Sequence, residues 1–540
     1  MRKNGVLLHI SSLPSDYGIG TMGKAARDFV DQLERNGQSL WQILPICPTS
    51  FGDSPYASYS TFAGNPYFID LDILAEKGYL RPEEYRNEKW FEEPGRVDYG
   101  IMYNTRYPVL RKAVERFLQN PPADYEKFLK ENADWLDDYS LFMALKDTNE
   151  GKPWQQWDEE YRVYDADKTA KWKEEFRDAV EYNNVLQYLF FEQWKDLRKY
   201  ANDHGVEIVG DLPIYVAMDS VDAWSHPELF MMDKESNPLL VAAVPPDGFS
   251  AEGQLWGNPV YNWPYHKKTG YDWWIRRIEQ MANLYNIVRI DHFRGFDSFY
   301  AVDADAKDAK KGKWMRGPGS ELFKEMNKKI GEQKIIAEDL GYLTKSVRNM
   351  LAETGYPGMK VMEFAFDSKA DSGREYLPYN YPKNSVAYAG THDNDTIYGW
   401  FDSISEGDKE YVREYLDTWD PDWLNWRMFS QLLGSPADTT IVMAQDLLKL
   451  GSETRMNQPG SVGTNWQWRL LPGQLDEDTM SHLKYLTRVY GRLPEQNLPK
   501  TDDEEEEEIE IFDDPTEIAV QTIIDPAPNA DLKQEPQEAE

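Results

Sequence analysis

"NIVRIDHFRGFDSFY", residues 286–300, opens as an apolar run and then sets Arg289, Asp291, His292, Arg294 and Asp297 within nine residues. A short, continuously apolar run suits a strand covered on both faces, the usual state of strands in a parallel sheet. The charge therefore falls where the strand ends. Seven more runs share this form: "GVLLHISSLPS", "SLWQILPICPT", "VEIVGDLPIYV", "KIIAEDLGYLT", "GMKVMEFAFDS", "SVAYAGTHDND" and "TTIVMAQDLLKL". Several are separated by segments of helical spacing, such as Leu186, Leu189, Phe190, Trp194 and Leu197 just before "VEIVGDLP". Eight strand–helix units predict an α/β fold, a (β/α)8 TIM barrel, whose chemistry belongs at the C-terminal ends of its strands.

The units are unequally spaced. Residues 50–205 separate the second run from the third, far more than one crossover helix needs, so a large insertion is expected there. Within it Leu110, Ala113, Val114, Phe117 and Leu118 form the apolar stripe of an amphipathic helix, and the insertion, residues 75–200, reads as mainly helical. A smaller insertion after the third run, residues 224–272, is rich in Pro, Gly and aromatics and reads as a loop over the barrel mouth. Residues 1–500 then form the barrel with its insertions. Residues 501–540 hold sixteen Asp and Glu against one Lys, and a chain with seven consecutive acids (502–508) cannot bury a core, so this tail is expected to be disordered.

The net charge is −35, which argues against a nucleic-acid or anionic-membrane partner and favours a neutral or cationic one. Cys47 is the only cysteine, which excludes an intrachain disulfide and a cysteine metal cluster and suits a reducing, cytoplasmic setting. The apolar stretch in "MRKNGVLLHISSLPSD" is too short for a signal-peptide core, and no run is long enough for a membrane span.

Acids collect at the strand ends: Asp211 after the third, Asp291 after the fourth, Glu338 and Asp339 after the fifth, Asp393 after the seventh. One such Asp alone is ordinarily a helix cap or a loop solubiliser. Several at one mouth, with His292 and His392 beside them and Arg289 on the same strand face as Asp291, point to chemistry. Two carboxyl groups in a water-restricted pocket suit acetal exchange at a sugar. One attacks the anomeric carbon, while the other, kept protonated by its neighbours, gives a proton to the leaving oxygen. Aromatic residues make up 14% of the chain, with clusters such as "PYASYS", "QLWGNPVYNW" and "NWQWR" able to stack on sugar faces.

These motifs together, with "SSLPSDYGIGTMG", "FGDSPYASYSTFAGNPYFIDL", "GDLPIYVAMDS", "VRIDHFRGF", "IIAEDLG", "AGTHDNDT" and "GSETRMNQPGSVGTNWQWR", resemble the 4-α-glucanotransferases (amylomaltases, or disproportionating enzymes) of glycoside hydrolase family 77 in the α-amylase superfamily. The resemblance runs from about residue 5 to residue 470. It implies an enzyme that transfers α-1,4-glucan segments from a donor maltodextrin to an acceptor glucan, with no cofactor and no metal. It further implies Asp291 as nucleophile, Glu338 as general acid/base and Asp393 as the carboxylate that orients the substrate. Arg289 and His392 would bind near the reacting sugar, and Ser54, Tyr56, Asp211, Gln254, Trp256 and Asn465 would line donor and acceptor subsites. Asp339 is expected to be structural.

Some features depart from the wider superfamily. Val216 stands five residues after Asp211, where amylases at large carry a histidine, as in the glucanotransferase branch. Too few residues follow the eighth strand for the β-sandwich that closes most amylases. In "VPPDGFSAEGQLWGNP", Gly248 stands where many relatives carry a large aromatic, a departure at one acceptor-side stacking contact, and Phe249 beside it is expected among the substrate-binding residues.

Other classes fit less well. "GIGTMG", Gly18 to Gly23, matches a dinucleotide-binding fingerprint, but "SSLPSDY" separates it from its strand and Gln38 stands where the ribose-binding acid belongs. "DADAKDAKKGK" puts lysine at a ligand position of a calcium loop. An α-glucan hydrolase would share the acids and differ only in the acceptor, while a non-catalytic sugar-binding barrel would leave three carboxylates without a task.

Overall fold

A computed structural model describes residues 2–50, 52–246, 252–341, 343–369, 371–494 and 497. Its twelve strands are β1 (Lys3–Leu7), β2 (Leu40–Gln42), β3 (Glu207–Leu212), β4 (Leu240–Val244), β5 (Gln254–Pro259), β6 (Ile287–Ile290), β7 (Ser298–Asp303), β8 (Gly312–Arg316), β9 (Ile335–Ala337), β10 (Gly358–Val361), β11 (Ser385–Tyr388) and β12 (Thr439–Met443). Eight of them close a barrel in the order β1-β12-β11-β10-β9-β6-β3-β2, every pair parallel. These are the eight apolar runs, and the (β/α)8 fold is as expected from them.

The barrel is filled by side chains that alternate inward. Leu7, Leu40, Val209, Ile336, Met359, Val361, Val386, Tyr388, Ile441 and Met443 form an interior cluster, while Ile208, Val288, Ile290, Ile335 and Ala337 join the larger core that includes the helices. The same alternation decides where the charges go. Val209 is inward, so Asp211, two residues on, is inward too; Ile287 packs on the interior, and Arg289 and Asp291 follow it at the same spacing. Register brings Asp211 opposite Arg289 on the adjacent strand.

Between β2 and β3 the described elements are helical, the longest being Tyr99–Phe117, Ala133–Thr148 and Arg177–Asp203. In the first of these Leu110, Ala113, Val114 and Phe117 are buried, whereas Leu118 caps the end and is largely exposed, so the stripe stops one residue early. Leu186, Leu189, Phe190, Trp194 and Leu197 are all buried on Arg177–Asp203, which returns the chain to β3.

Residues 224–272 differ from the expected loop. They contain β4 and β5, which join β7 and β8 in an antiparallel sheet of order β5-β4-β7-β8. The pairing is non-local: β7 and β8 come from beyond β6, and their "DSFYAVD" begins inside the opening stretch of charge. Alternation over so few residues does not disclose such a partner. The loop "DADAKDAKKGK" is the connection between β7 and β8.

No described strand follows β12, and no described helix is long and apolar enough to cross a membrane. Residues 1–496 make one compact unit. The acidic segment 501–540, expected to be disordered, lies outside the described residues, as do Gly248 and Phe249.

Candidate active site

Arg289 sits at the centre. Its Nη1 lies 2.6 Å from Asp211 Oδ2 and 3.1 Å from Asp291 Oδ1, so one guanidinium faces two carboxylates. Tyr56 donates its hydroxyl to the same Asp211 oxygen at 2.8 Å. Arg289 and Asp211 are buried, whereas about a quarter of the Asp291 side chain (26%) reaches solvent, so of these three groups Asp291 opens most onto the mouth. Burial pushes the Asp211 carboxyl up to about 7 and raises Asp291 above its ordinary value, and the Arg289 cation opposes both shifts.

Glu338 follows β9, beside β6. Its Oε2 accepts from the His292 backbone N–H at 2.7 Å and its Oε1 from Leu340 N–H at 2.9 Å, while the Phe293 N–H bonds the Glu338 carbonyl at 3.0 Å. His292 makes this geometry with left-handed backbone, φ 48° and ψ 46°, a conformation that costs a non-glycine residue about 1 kcal/mol or more. The turn aims the amide after Asp291 at Glu338. Burial and then the Asp291 charge push the Glu338 carboxyl up to about 8, although its N–H donors favour the ionised form. Asp291 and Glu338 thus meet as an electrostatic pair: one beside a cation, the other raised by its neighbour.

Asp393 stands after β11. Asn457 Nδ2 donates to its Oδ1 at 2.6 Å, Arg455 Nη2 donates to its backbone carbonyl at 2.6 Å, and His392 Nε2 lies 3.3 Å from its Oδ2. Its charge also raises Asp291. His392 is buried and pushed down to about 4, hence neutral near pH 7. Its ring stacks on Tyr56 at 5.2 Å and 10°, with Trp466 tilted against both.

The other expected residues are less central. Trp256, on β5, meets the His292 ring edge-on at 4.9 Å and donates to Gln254 Oε1 at 3.2 Å. Ser54 is bonded locally, its hydroxyl accepting from Tyr56 N–H at 3.2 Å. Asn465 accepts from Gln458 N–H at 3.1 Å and donates to the Ser461 carbonyl at 3.0 Å, so it shapes its own loop. Asp339 turns from the mouth and accepts from Met359 N–H at 2.6 Å, a structural contact. Of the opening stretch of charge, Arg294 lies over the Trp314 ring at 4.4 Å and feels the charges of Asp297 and Glu338, and Asp297 accepts from Ser346 Oγ at 2.9 Å.

Arg455, Asn457 and Trp466 enter the site without having been singled out from sequence, and His292, noted there for its ring, serves also through its backbone N–H. The first two and Trp466 lie in "GSETRMNQPGSVGTNWQWR", a polar and aromatic stretch beyond the eighth strand whose density was the one available signal. Among the described residues no group of His, Cys, Asp and Glu is arranged to hold a metal ion.

The chain matches the 4-alpha-glucanotransferase family model, glycoside hydrolase family 77, over residues 8–474. A 4-alpha-glucanotransferase of Clostridium butyricum is 47% identical over 487 residues, covering 90% of this chain and all of that protein. One from Streptococcus pneumoniae is 44% identical over 497 residues, 92% of this chain and 98% of the relative. The solved amylomaltase of Streptococcus agalactiae in complex with acarbose superposes with a TM-score of 0.89 at 43% identity, spanning 92% of this chain and 100% of that one. With that coverage and a barrel whose strand ends gather the expected acids, the chain belongs to the 4-alpha-glucanotransferases of glycoside hydrolase family 77.

Proposed function

We propose that this protein transfers α-1,4-glucan segments from a donor maltodextrin to the 4-hydroxyl of an acceptor glucan or glucose, with retention at the anomeric carbon. Asp291 is the nucleophile: the Arg289 contact favours its ionised form against the burial that raises it, and its partial exposure lets it meet the anomeric carbon. Glu338 is the general acid. Three buried or half-buried acids surround one guanidinium that touches two of them, so a proton stays with the third near neutral pH. Glu338 protonates the glycosidic oxygen as Asp291 bonds to carbon, and the leaving glucan departs with the proton. In the second half an acceptor hydroxyl gives its proton back to Glu338 while its oxygen displaces Asp291.

Asp393, fixed by Asn457 and Arg455, accepts sugar hydroxyls and supports positive charge as it develops at the anomeric carbon. His392 supplies a neutral donor, its ring nitrogens having no hydrogen-bond partner among the described residues. Ser54, Tyr56, Asp211, Gln254, Trp256, Phe249 and Asn465 line the subsites in this reading, and residues 75–200 and 224–272 wall the mouth so that water reaches the glycosyl-enzyme less readily than a sugar does. The scheme uses no cofactor. A net charge of −35 suits a neutral glucan, and a single buried cysteine, Cys47, suits a cytoplasmic setting.

The observation that carries the proposal is the Glu338 clamp: two backbone N–H groups, one from the residue after Asp291, aim a carboxyl raised to about 8 across the strand end. Incubation with maltotriose tests it. Transfer yields glucose and a ladder of longer maltooligosaccharides; reducing sugar that grows with no longer products means that water is the acceptor and the proposal is wrong.

A further inference from the structure

A second groove is lined by none of the acids of the site. It forms where the helix Leu424–Gly434 packs beside Glu477–Val489 and the chain leaves β12 through Leu447, Leu448 and Lys449. It is an open groove of about 620 Å³, within the span of about 300–1,000 Å³ typical of ligand sites. Its floor is aromatic: His482 lies edge-on to Trp426 at 4.3 Å and to Trp423 at 5.8 Å, while Tyr485, outside the lining, lies 6.0 Å from His482. Trp423 is 46% exposed in the groove, and Tyr485, just beyond it, is 51% exposed with the Arg488 guanidinium 5.7 Å over its ring.

Around the rings stand Asp422, Gln474, Asp476 and Thr479, with Lys449 as the one cation among the lining residues. Three aspartates, Asp422, Asp476 and Asp478, against one lysine disfavour an anionic ligand such as a phosphate ester or a nucleic acid. An extended apolar partner would leave these polar groups without hydrogen bonds. A ligand with flat C–H faces and a rim of neutral hydroxyls satisfies both sets at once, as a pyranose does. The groove is also joined to the active site through the chain. Leu447–Lys449 run directly into the segment 451–466 that bears Arg455 and Asn457, both on Asp393.

We propose that this groove is an auxiliary α-glucan-binding site, in which the exposed Trp423 ring, with His482 and Trp426 beside it, stacks on a glucose unit of a long chain. The inference rests on the glucanotransferase reading for its choice of sugar polymer, and it goes beyond that reading in giving the enzyme a handhold that short oligosaccharides do not use.

Trp423 makes no contact with the catalytic acids, so the test separates the two sites. Wild type, Trp423→Ala, Trp423→Phe and His482→Ala are run on native gels containing amylopectin, and each is assayed with maltotriose and with glycogen as donor. Loss of one stacking ring is expected to weaken amylopectin retention and glycogen kcat/KM by about three- to tenfold in Trp423→Ala. Trp423→Phe should recover most of it, and maltotriose kcat/KM should stay within about twofold of wild type in every variant. Retention of Trp423→Ala equal to wild type overturns the inference, as does a fall in maltotriose activity that parallels the fall in glycogen activity. A wild-type protein that is retarded by amylopectin but leaves maltotriose unchanged would instead refute the transferase reading and leave the groove standing.

Discussion

The side-chain amide of Asn457 donates to Asp393 Oδ1 at 2.6 Å, joining two residues 64 positions apart. With Arg455 Nη2 on the Asp393 carbonyl, this fixes the third acid from the segment beyond β12 rather than from its own strand. Asn457→Ala removes a hydrogen bond to a charged group, worth about 1.5–3 kcal/mol. If Asp393 acts mainly in the transition state, kcat on maltotriose should fall about 10- to 100-fold with KM changed far less. Steady-state kinetics with unchanged circular dichroism checks this; a rise in KM alone would place Asn457 in ground-state binding.

Glu338 must carry its proton for the first step, and its carboxyl is pushed up to about 8. The kcat/KM profile, which reports the free enzyme, should therefore fall on the alkaline side around pH 8. Ionisation of Glu338 removes the acid, so the sign is loss as pH rises. An alkaline limb below pH 6 would contradict the assignment.

Arg289 is the cation for two acids at once. Arg289→Gln leaves Asp211 and Asp291 facing each other in a buried site, which breaks a buried pair and should cost about 3–5 kcal/mol near neutral pH. Both acids already sit above their ordinary values, and loss of the cation raises them further. An acid raised in the folded state loses stability as pH climbs from its unfolded value through its folded one. Urea unfolding should therefore show the deficit of Arg289→Gln largest at pH 8 and smallest near pH 4. The acid limb of any residual activity should move to higher pH, because Asp291 then ionises later.

The barrel and its acids were readable because both follow short-range rules. Each of the eight strands carries a short, mainly apolar run, and the inward alternation that buries Val209 also places Asp211, as that of Ile287 places Arg289 and Asp291. What escaped the sequence depends on contacts between distant segments. Strand β4 pairs with β7 across residues that read as loop, Asn457 reaches Asp393 from beyond the last strand, and His292 serves through its backbone N–H, made available by a left-handed turn. A backbone donor leaves no mark in side-chain chemistry, and a non-local pairing leaves none in periodicity.

The central claim is that Asp291 bonds to the anomeric carbon while Glu338 moves the proton. Glu338→Gln treated with α-maltosyl fluoride isolates that step: fluoride leaves without protonation, so the glycosyl-enzyme forms, and without its base the acceptor step stalls. Mass spectrometry of the digested protein should find a maltosyl group esterified to the peptide bearing Asp291. An adduct on Asp211 or Asp393, or turnover of the fluoride with no adduct on any carboxylate, would contradict the account.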